Sequence, residues 1–248
     1  MISVAHPGYI EALERIASEC KGIGEIFMEG SSDYIRTGRI GLTHPDIENI
    51  SEQIWFAHEK GIKVNVLANS SCLGGDHLSP DGYKRYRWYF ERLNEIGVDS
   101  ITLTDPYFIE LVSREFDMKV VVSCIAFVDS PQKAIFYEEL GANVITIDTG
   151  INRNFDVLQG IRESTECELR ILVNEGCLYS CPFRFFHYNL ISHGALSDYY
   201  HDRCLSMRIR NPELIIKSGW IRPEDLREYE KIGIDLSLIH ISEPTRPY

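Results

Sequence analysis

The stretch NEGCLYSCPFRFFHYN, Asn174 to Asn189, places two cysteines four residues apart beside a proline, an arginine and a histidine. A third cysteine, Cys204, comes later in YYHDRC. Thiols grouped in this way serve four chemistries: a disulfide, a zinc site, a thiolate nucleophile or an iron–sulfur cluster. Structural zinc normally shows paired knuckles of short spacing or a Cys/His set that closes four ligands. His187, His193 and His201 would allow such a set, but at no standard spacing. A nucleophile needs a base, and Cys177 with His187 would supply one. A cluster takes three or four thiolates from loops that fold around it and tolerates irregular spacing. Tyr179, Phe183, Phe185 and Phe186 would shield it from water. The cluster accounts for the most features, with zinc as the alternative metal; the pattern is not the CxxxCxxC of radical-SAM enzymes. Arg184 has the fork to bind a carboxylate or phosphate in bidentate fashion, or a salt bridge that fixes the loop. His187 suits a proton donor or a group bonded to a cysteine sulfur.

The elements that must position these groups alternate along the chain. Short β-rich runs occur at 2–5, 25–29, 63–69, 100–105, 119–124, 143–148 and 169–174, and segments with helical apolar spacing lie between them. Several helices close on glycine just before the next strand, as in EKGIKV, EIGVDS and ELGANV. Seven strand–helix alternations with near-continuous apolar strands predict a parallel sheet covered by helices. No glycine-rich phosphate loop comes after the first strand, and each unit spans about 25 to 35 residues, which favours a TIM-type barrel over an open doubly wound sheet. The strands end on Glu29, Asn69, Asp105, Ser123, Asp148 and Asn174, positions that converge at the C-terminal mouth of such a barrel. Glu29, Asn69 and Asp148 are candidate catalytic residues with Arg184 and His187. Asp105 and Asp148 serve equally well as caps of the segments after them.

The chain has 248 residues, with 37 carboxylates against 25 Lys and Arg, a net charge of −12. That balance disfavours a broad nucleic-acid surface without excluding a local basic cleft. The run YKRYRWYFER, 83–92, mixes bases with aromatics and reads as a helix with Tyr, Trp and Phe toward the sheet and Lys84, Arg85, Arg87 and Arg92 in solvent. No apolar run approaches the roughly 20 residues of a membrane span, and the N-terminus lacks the layout of a signal peptide. A cytoplasmic location is expected, and with it reduced thiols, which disfavours the disulfide. Cys20, Cys124 and Cys167 lie in apolar or helical stretches and read as small core residues.

The tail, LSLIHISEPTRPY at 236–248, reads in its first eleven residues like the in-frame translation of a sequencing-library adapter. The expected domain is therefore a barrel over 1–235 with a Cys-rich insertion at about 175–205, truncated at its C-terminus, its eighth strand missing or replaced by foreign sequence.

The succession FMEG, VNVLAN, SITLTD, ILVNEGC and CPFRFFHYN, a later cysteine, and then WIRPEDLREYEKIGID resembles the collagenase-like peptidases, family thirty-two of the peptidases of unknown mechanism. The likeness runs from the first strand to Asp235. It implies a TIM-barrel-like domain whose cysteines after the seventh strand hold a 4Fe–4S cluster in several members. It also implies oxygen-independent hydroxylation, of ubiquinone precursors or of RNA bases, as a family activity beside the peptidase activity of the name. Carried over by position, Cys177, Cys181 and Cys204 match the family's cysteines; Cys72, in NSSCLGGDH, is the candidate fourth ligand, with a ligand beyond the truncation or an open iron coordination site as the alternatives. The basic strand that the resemblance leads one to expect after EKIGID is absent. No HExxH helix or GxSxG elbow occurs, so redox chemistry with an electron-donor partner is expected ahead of peptide hydrolysis, and a non-catalytic partner role stands third.

Overall fold

Strand β1 (Ile2–Ala5) pairs in parallel with β2 (Ile23–Glu29), and parallel pairing then passes through β3 (Lys63–Ala68), β4 (Ser100–Leu103), β5 (Lys119–Val122), β6 (Val144–Thr146), β7 (Glu168–Leu172) and β8 (Leu236–Ile239) back to β1. The result is a closed eight-stranded barrel in the computed structural model, which describes residues 2–6, 8–20, 22–38, 45–195 and 199–239. The strands outline the expected runs, each ending a residue or more before the polar group assigned to the mouth, except at Glu29.

Outside the strands lie α1 (Ile10–Glu19), α2 (Ile47–Glu59), α3 (Pro80–Glu95), α4 (Pro106–Glu115), α5 (Pro131–Glu139) and α6 (Phe155–Ser164). Their starts are set by local chemistry. Asp46, Ser79 and Asp105 each accept a backbone N–H of the first turn, and Pro opens α3, α4 and α5. The main core lies between strands and helices, where Val64, Val66, Ile101 and Val122 meet Ile54, Phe90, Phe108 and Ile161. Residues 83–92 form the expected helix with one correction. Tyr86, Tyr89 and Phe90 are buried, whereas Trp88 sits at the rim, 44% exposed, against Tyr34. Arg85 and Arg87 are paired with Asp76 and Glu115, so they present no unopposed basic face.

The chain after β7 departs from the strand–helix beat. It runs through the cysteine loop to α7 (Arg184–Ser192), then α8 (Tyr199–Arg210), α9 (Glu213–Ile216) and α10 (Leu226–Ile232) before β8. The expected helix start in IRPEDL is a single 3-10 turn, Pro223–Asp225, that leads into α10. The eighth position, expected to be missing or replaced, is held by Leu236–Ile239, the first residues of the segment read as adapter-derived. They pair with both β7 and β1. Parallel ladders use backbone groups alone, so a short extended run suffices to complete the ring. Residues 240–248 lie outside the described part.

The barrel floor is polar. Inward positions of four strands supply Ser3, Glu25, Ser100 and Arg170. Glu25 lies 2.9 Å from Arg170 Nη2, with the two side chains 7% and 1% exposed. Ser3 donates to one Glu25 oxygen and Ser100 to the other, at 3.3 Å for the latter. Since β2 neighbours neither β4 nor β7, the Ser100 and Arg170 bonds cross the lumen. Above the floor Thr102 donates to Asn65 at 2.8 Å, and then Ala5, Phe27, Leu67 and Leu172 form an apolar plug. Replacing Arg170 by Met would strand a buried carboxylate. The expected cost is about 3–5 kcal/mol of unfolding free energy in urea titration, with the double variant Glu25→Leu, Arg170→Met recovering part of it. Full stability of the single variant would show that the pair is not desolvated.

Candidate functional site

Above the plug, the loops after β5, β6 and β7 bring together Cys124, Asp148, Glu175 and Cys177, with Arg184 and Tyr188 of α7 over them. Each is placed by local structure. Ser123 accepts Ile125 N–H at 3.3 Å and so starts the 3-10 turn Cys124–Ala126. That turn ends on Phe127, whose φ of 53° lies in the left-handed region that non-glycine residues rarely adopt. Lys133 donates to the Phe127 carbonyl at 2.7 Å. Asp148 accepts Gly150 N–H at 3.0 Å and is also the ion-pair partner of Arg184 Nη1. Of the two roles posed for it, Asp148 has the cap, and it holds Arg184 as well; Asp105 caps α4 through Tyr107 N–H and meets His77 at 3.3 Å.

Glu175 turns back to accept Cys177 N–H at 2.8 Å, while its carbonyl accepts from Ser218. The segment around Ser218 is itself held by Asn152, whose Nδ2 donates to the carbonyls of Leu172 and Gly219. Ser180, φ 47°, makes the turn that leads from Cys177 to Cys181. Phe127 and Ser180 are the non-glycine residues with positive φ among the described residues, and both stand at this mouth.

Arg184 is clamped. Its guanidinium lies 4.9 Å from the Phe127 ring centroid and 5.9 Å from that of Tyr188. Burial lowers its pKa, but Tyr188, Cys124 and Asp148 outweigh burial and raise it, so the charge is permanent. Burial drives the Cys177 thiol well above its usual range, Glu175 adds to that, and Arg184 opposes it. Cys181 is raised by burial and then by Cys204, opposed by the Phe183 backbone. Burial pushes Cys124 up to about 11, although part of the residue reaches the surface. These thiols are protonated at neutral pH.

The candidate residues divide accordingly. Cys177, Cys181 and Cys204 are free thiols that influence one another in succession: Cys181 acts on Cys177, and Cys204 acts on Cys181. Phe183 and Phe186 lie near Tyr200, at 6.0 and 5.5 Å between ring centroids, but Tyr179, Phe185 and Phe186 are exposed, so the expected shield of rings is not formed by these three. His187 faces His201 at 6.0 Å between ring centroids, and His201 lies one turn before Cys204 on α8. Cys72 lies in a loop fastened to α7, where Ser71 bonds Asn189 at 2.7 Å and Ser192 at 2.9 Å. The main influences on Cys177 and Cys181 come from residues other than Cys72. Asn69 is engaged in the scaffold: its oxygen accepts Gly38 N–H at 2.9 Å and its nitrogen donates to Ser123 at 3.0 Å. Glu29 accepts from Thr37 at 3.4 Å. Among the described residues no three His, Cys, Asp or Glu side chains converge to hold a single metal ion.

Two cysteines differ from the reading as core residues. Cys20 is exposed, because it comes after α1 at the surface. Cys124 lies at the mouth, since the 3-10 turn takes it out of the strand; Cys167 alone of the three is buried. Phe127, Glu175 and Tyr188 carried no signal in isolation, although NEGC placed Glu175 two residues before a thiol.

A family model described as peptidase family U32 matches residues 11–181. The chain is 43% identical over 246 residues to a protein of Methanocaldococcus jannaschii named an uncharacterized protease, covering 93% of this chain and 74% of the relative. The solved structure of the U32 peptidase Mk0906 superposes with a TM-score of 0.75 at 28% identity, over 98% of this chain and 93% of that one. The 3-hexulose-6-phosphate synthase of Salmonella typhimurium, at 13% identity and a TM-score of 0.52 over 96% and 88% of the two chains, shares the fold alone. No described helix is long and apolar enough to cross a membrane.

The Cys124 thiol makes stability fall at high pH. Its folded pKa of about 11 exceeds the ordinary 9.0, so the folded state binds the proton more tightly than the unfolded chain. The contribution is complete below pH 9 and is lost as pH rises toward 11. The urea midpoint is expected to drop over that interval, and Cys124→Ala to flatten the drop. An unchanged slope in the variant would place the titration elsewhere.

Proposed function

This chain belongs to peptidase family U32, and on that premise we propose that its barrel mouth is an iron–sulfur redox centre. In this reading the protein carries out oxygen-independent hydroxylation of a small molecule or an RNA base, with a 4Fe–4S cluster on Cys177, Cys181 and Cys204 and a separate protein as electron donor. The observation that carries the reading is a set of three free thiols, Cys177 and Cys181 in the loop after β7 and Cys204 on α8, in which Cys204 acts on Cys181 and Cys181 on Cys177.

The three thiols suit a cluster, which takes cysteine sulfurs at irregular spacing, whereas a mononuclear zinc site needs three or four donors converging on a point. A cluster spreads its ligands over several irons. When bound it supplies one-electron transfer at a potential set by burial and hydrogen bonding. The chain's own residues do the rest. The left-handed Ser180 reverses the loop between Cys177 and Cys181, and the Arg184–Asp148 pair anchors the first turn of α7. Phe186 stacks on Tyr200, which ties α7 to the helix that carries Cys204. Cys72 is the fourth ligand of this reading, on a loop that Ser71 ties to α7. Because burial holds Cys177 and Cys181 protonated, loading releases protons and is favoured by rising pH.

Peptide hydrolysis is favoured by the name of the family and of its relatives. A thiol peptidase, however, works through a thiolate of depressed pKa, and Cys124, Cys177 and Cys181 are all shifted the other way.

Protein purified without oxygen is expected to carry about four irons and four sulfides per chain with a broad visible absorption. Cys177→Ser or Cys181→Ser should abolish both, while Cys20→Ser leaves them intact. Stoichiometric zinc, or a folded protein without iron, overturns the reading. Peptide cleavage that survives cluster loss would favour the hydrolase instead.

A further inference from the structure

Helix α8 has no buried residue along its 12 positions. Its inner side, where Tyr200, Cys204 and Arg208 recur at helical spacing, is half-buried. That side meets α7, since Tyr200 stacks on Phe186 and His201 faces His187. The outer side carries Tyr199, Arg203, Ile209 and Arg210, with Leu205 and Met207 on its flanks, all exposed. Helix α9, which packs against α8, adds the exposed Ile215 and Ile216. Ile209 and Ile216 are each 70% exposed. Apolar side chains grouped at such exposure and rimmed by charge mark an interaction surface.

Charge narrows the partner. The chain as a whole is acidic, at −12, yet α8 holds Arg203, Arg208 and Arg210 against one carboxylate, Asp202, which lies 3.6 Å from His201. Exposed arginines such as Arg85, Arg87, Arg92, Arg114 and Arg222 are each paired with a carboxylate. The three of α8 have no hydrogen-bond or ion-pair partner among the described residues. The helix dipole accounts for cations in the last turn, Arg208 and Arg210, but not for Arg203 in the middle. A partner that is acidic around an apolar centre complements this face. Cys204 stands on the opposite side of the same helix, and a helix with its side chains is about 10–12 Å across. A protein seated outside is therefore one helix diameter from the thiols. Electron-transfer encounters use small interfaces of this kind, steered by opposite charge. We propose that the outer face of α8, with α9, is the docking site of an acidic one-electron carrier protein. The proposal rests on the cluster reading and names the partner that reading requires. In the step, one electron leaves the reduced carrier and enters the oxidised cluster; no atom or proton moves and no bond is made or broken.

The test titrates the full chain, purified without oxygen, with two oxidised acidic carriers, a plant-type 2Fe–2S ferredoxin and a flavodoxin. Cytochrome c, a basic carrier, is the control. At least one acidic carrier should bind at low salt with a Kd in about the micromolar range, weakening by about tenfold as physiological salt shortens the Debye length. Arg203→Glu combined with Arg210→Glu should weaken binding by a further factor of about ten. Both residues are exposed, so thermal midpoint and iron content should stay unchanged. The same reversal at Arg114, on α4, should leave binding intact. No binding of either acidic carrier, binding unmoved by the double reversal, or equal binding of cytochrome c overturns the proposal. Tighter binding of single-stranded oligouridine, lost on the same reversal, overturns it in favour of a nucleic-acid surface. Self-association abolished by the reversal overturns it in favour of a second copy of this chain. Binding of an oxidised carrier needs no electron transfer, so docking can fail while iron content is as expected. An iron-free chain that still binds the carrier would sink the cluster reading and leave the docking face.

Discussion

The Glu25–Arg170 pair spans the inside of the barrel between strands that are not neighbours, and the position of β7 depends on it. A parallel barrel of eight strands is normally filled with branched apolar side chains. Here the floor is an ion pair whose carboxylate also accepts from Ser3 and Ser100. Such a pair contributes little net stability compared with apolar packing, because desolvating both charges offsets their attraction. What it contributes is direction. Bonds from β1, β4 and β7 to one carboxylate on β2 fix how far each strand leans inward, and the cysteine loop leaves from the other end of β7. Asn152 and Ser218 continue that control above the strand.

Much of this was legible in the sequence. Strand runs, glycine stops and aspartate or serine starts pointed to the barrel and its mouth, because backbone periodicity and caps are local chemistry. The cysteine spacing likewise marked 174–189. The hidden part depended on the ring being closed. Glu25 and Arg170, charged residues in strands, give no sign that they face a lumen instead of solvent until the partner across the barrel is known. Asn69 has the type and position of a catalytic residue, yet its amide bridges two loops. Cys124 reads as core because KVVVSC is apolar, and only the turn after Ser123 takes it to the mouth. The eighth strand could not be read at all, since its residues carry no family signal and its pairing uses backbone groups alone.

The mouth combines two kinds of order. Arg184 serves as an anchor through Nη1, while thiols nearby are kept protonated by burial. The charged arginine fixes the start of α7 through Asp148, while burial keeps the neighbouring thiols neutral, so the loop is held by one group and its sulfur chemistry is left to others.

The left-handed backbones of Phe127 and Ser180 have a consequence for variation. Glycine adopts that conformation without the steric penalty other residues meet. Selection for heat resistance alone would favour glycine at the exposed Ser180, and at Phe127 it would exchange relief of the backbone for loss of the ring that covers Arg184. A sequence optimised in that direction would keep a complete barrel while its mouth drifted toward a smooth, unspecialised rim, so persistence of non-glycine residues at these two positions among descendants of this chain is a sign of function retained.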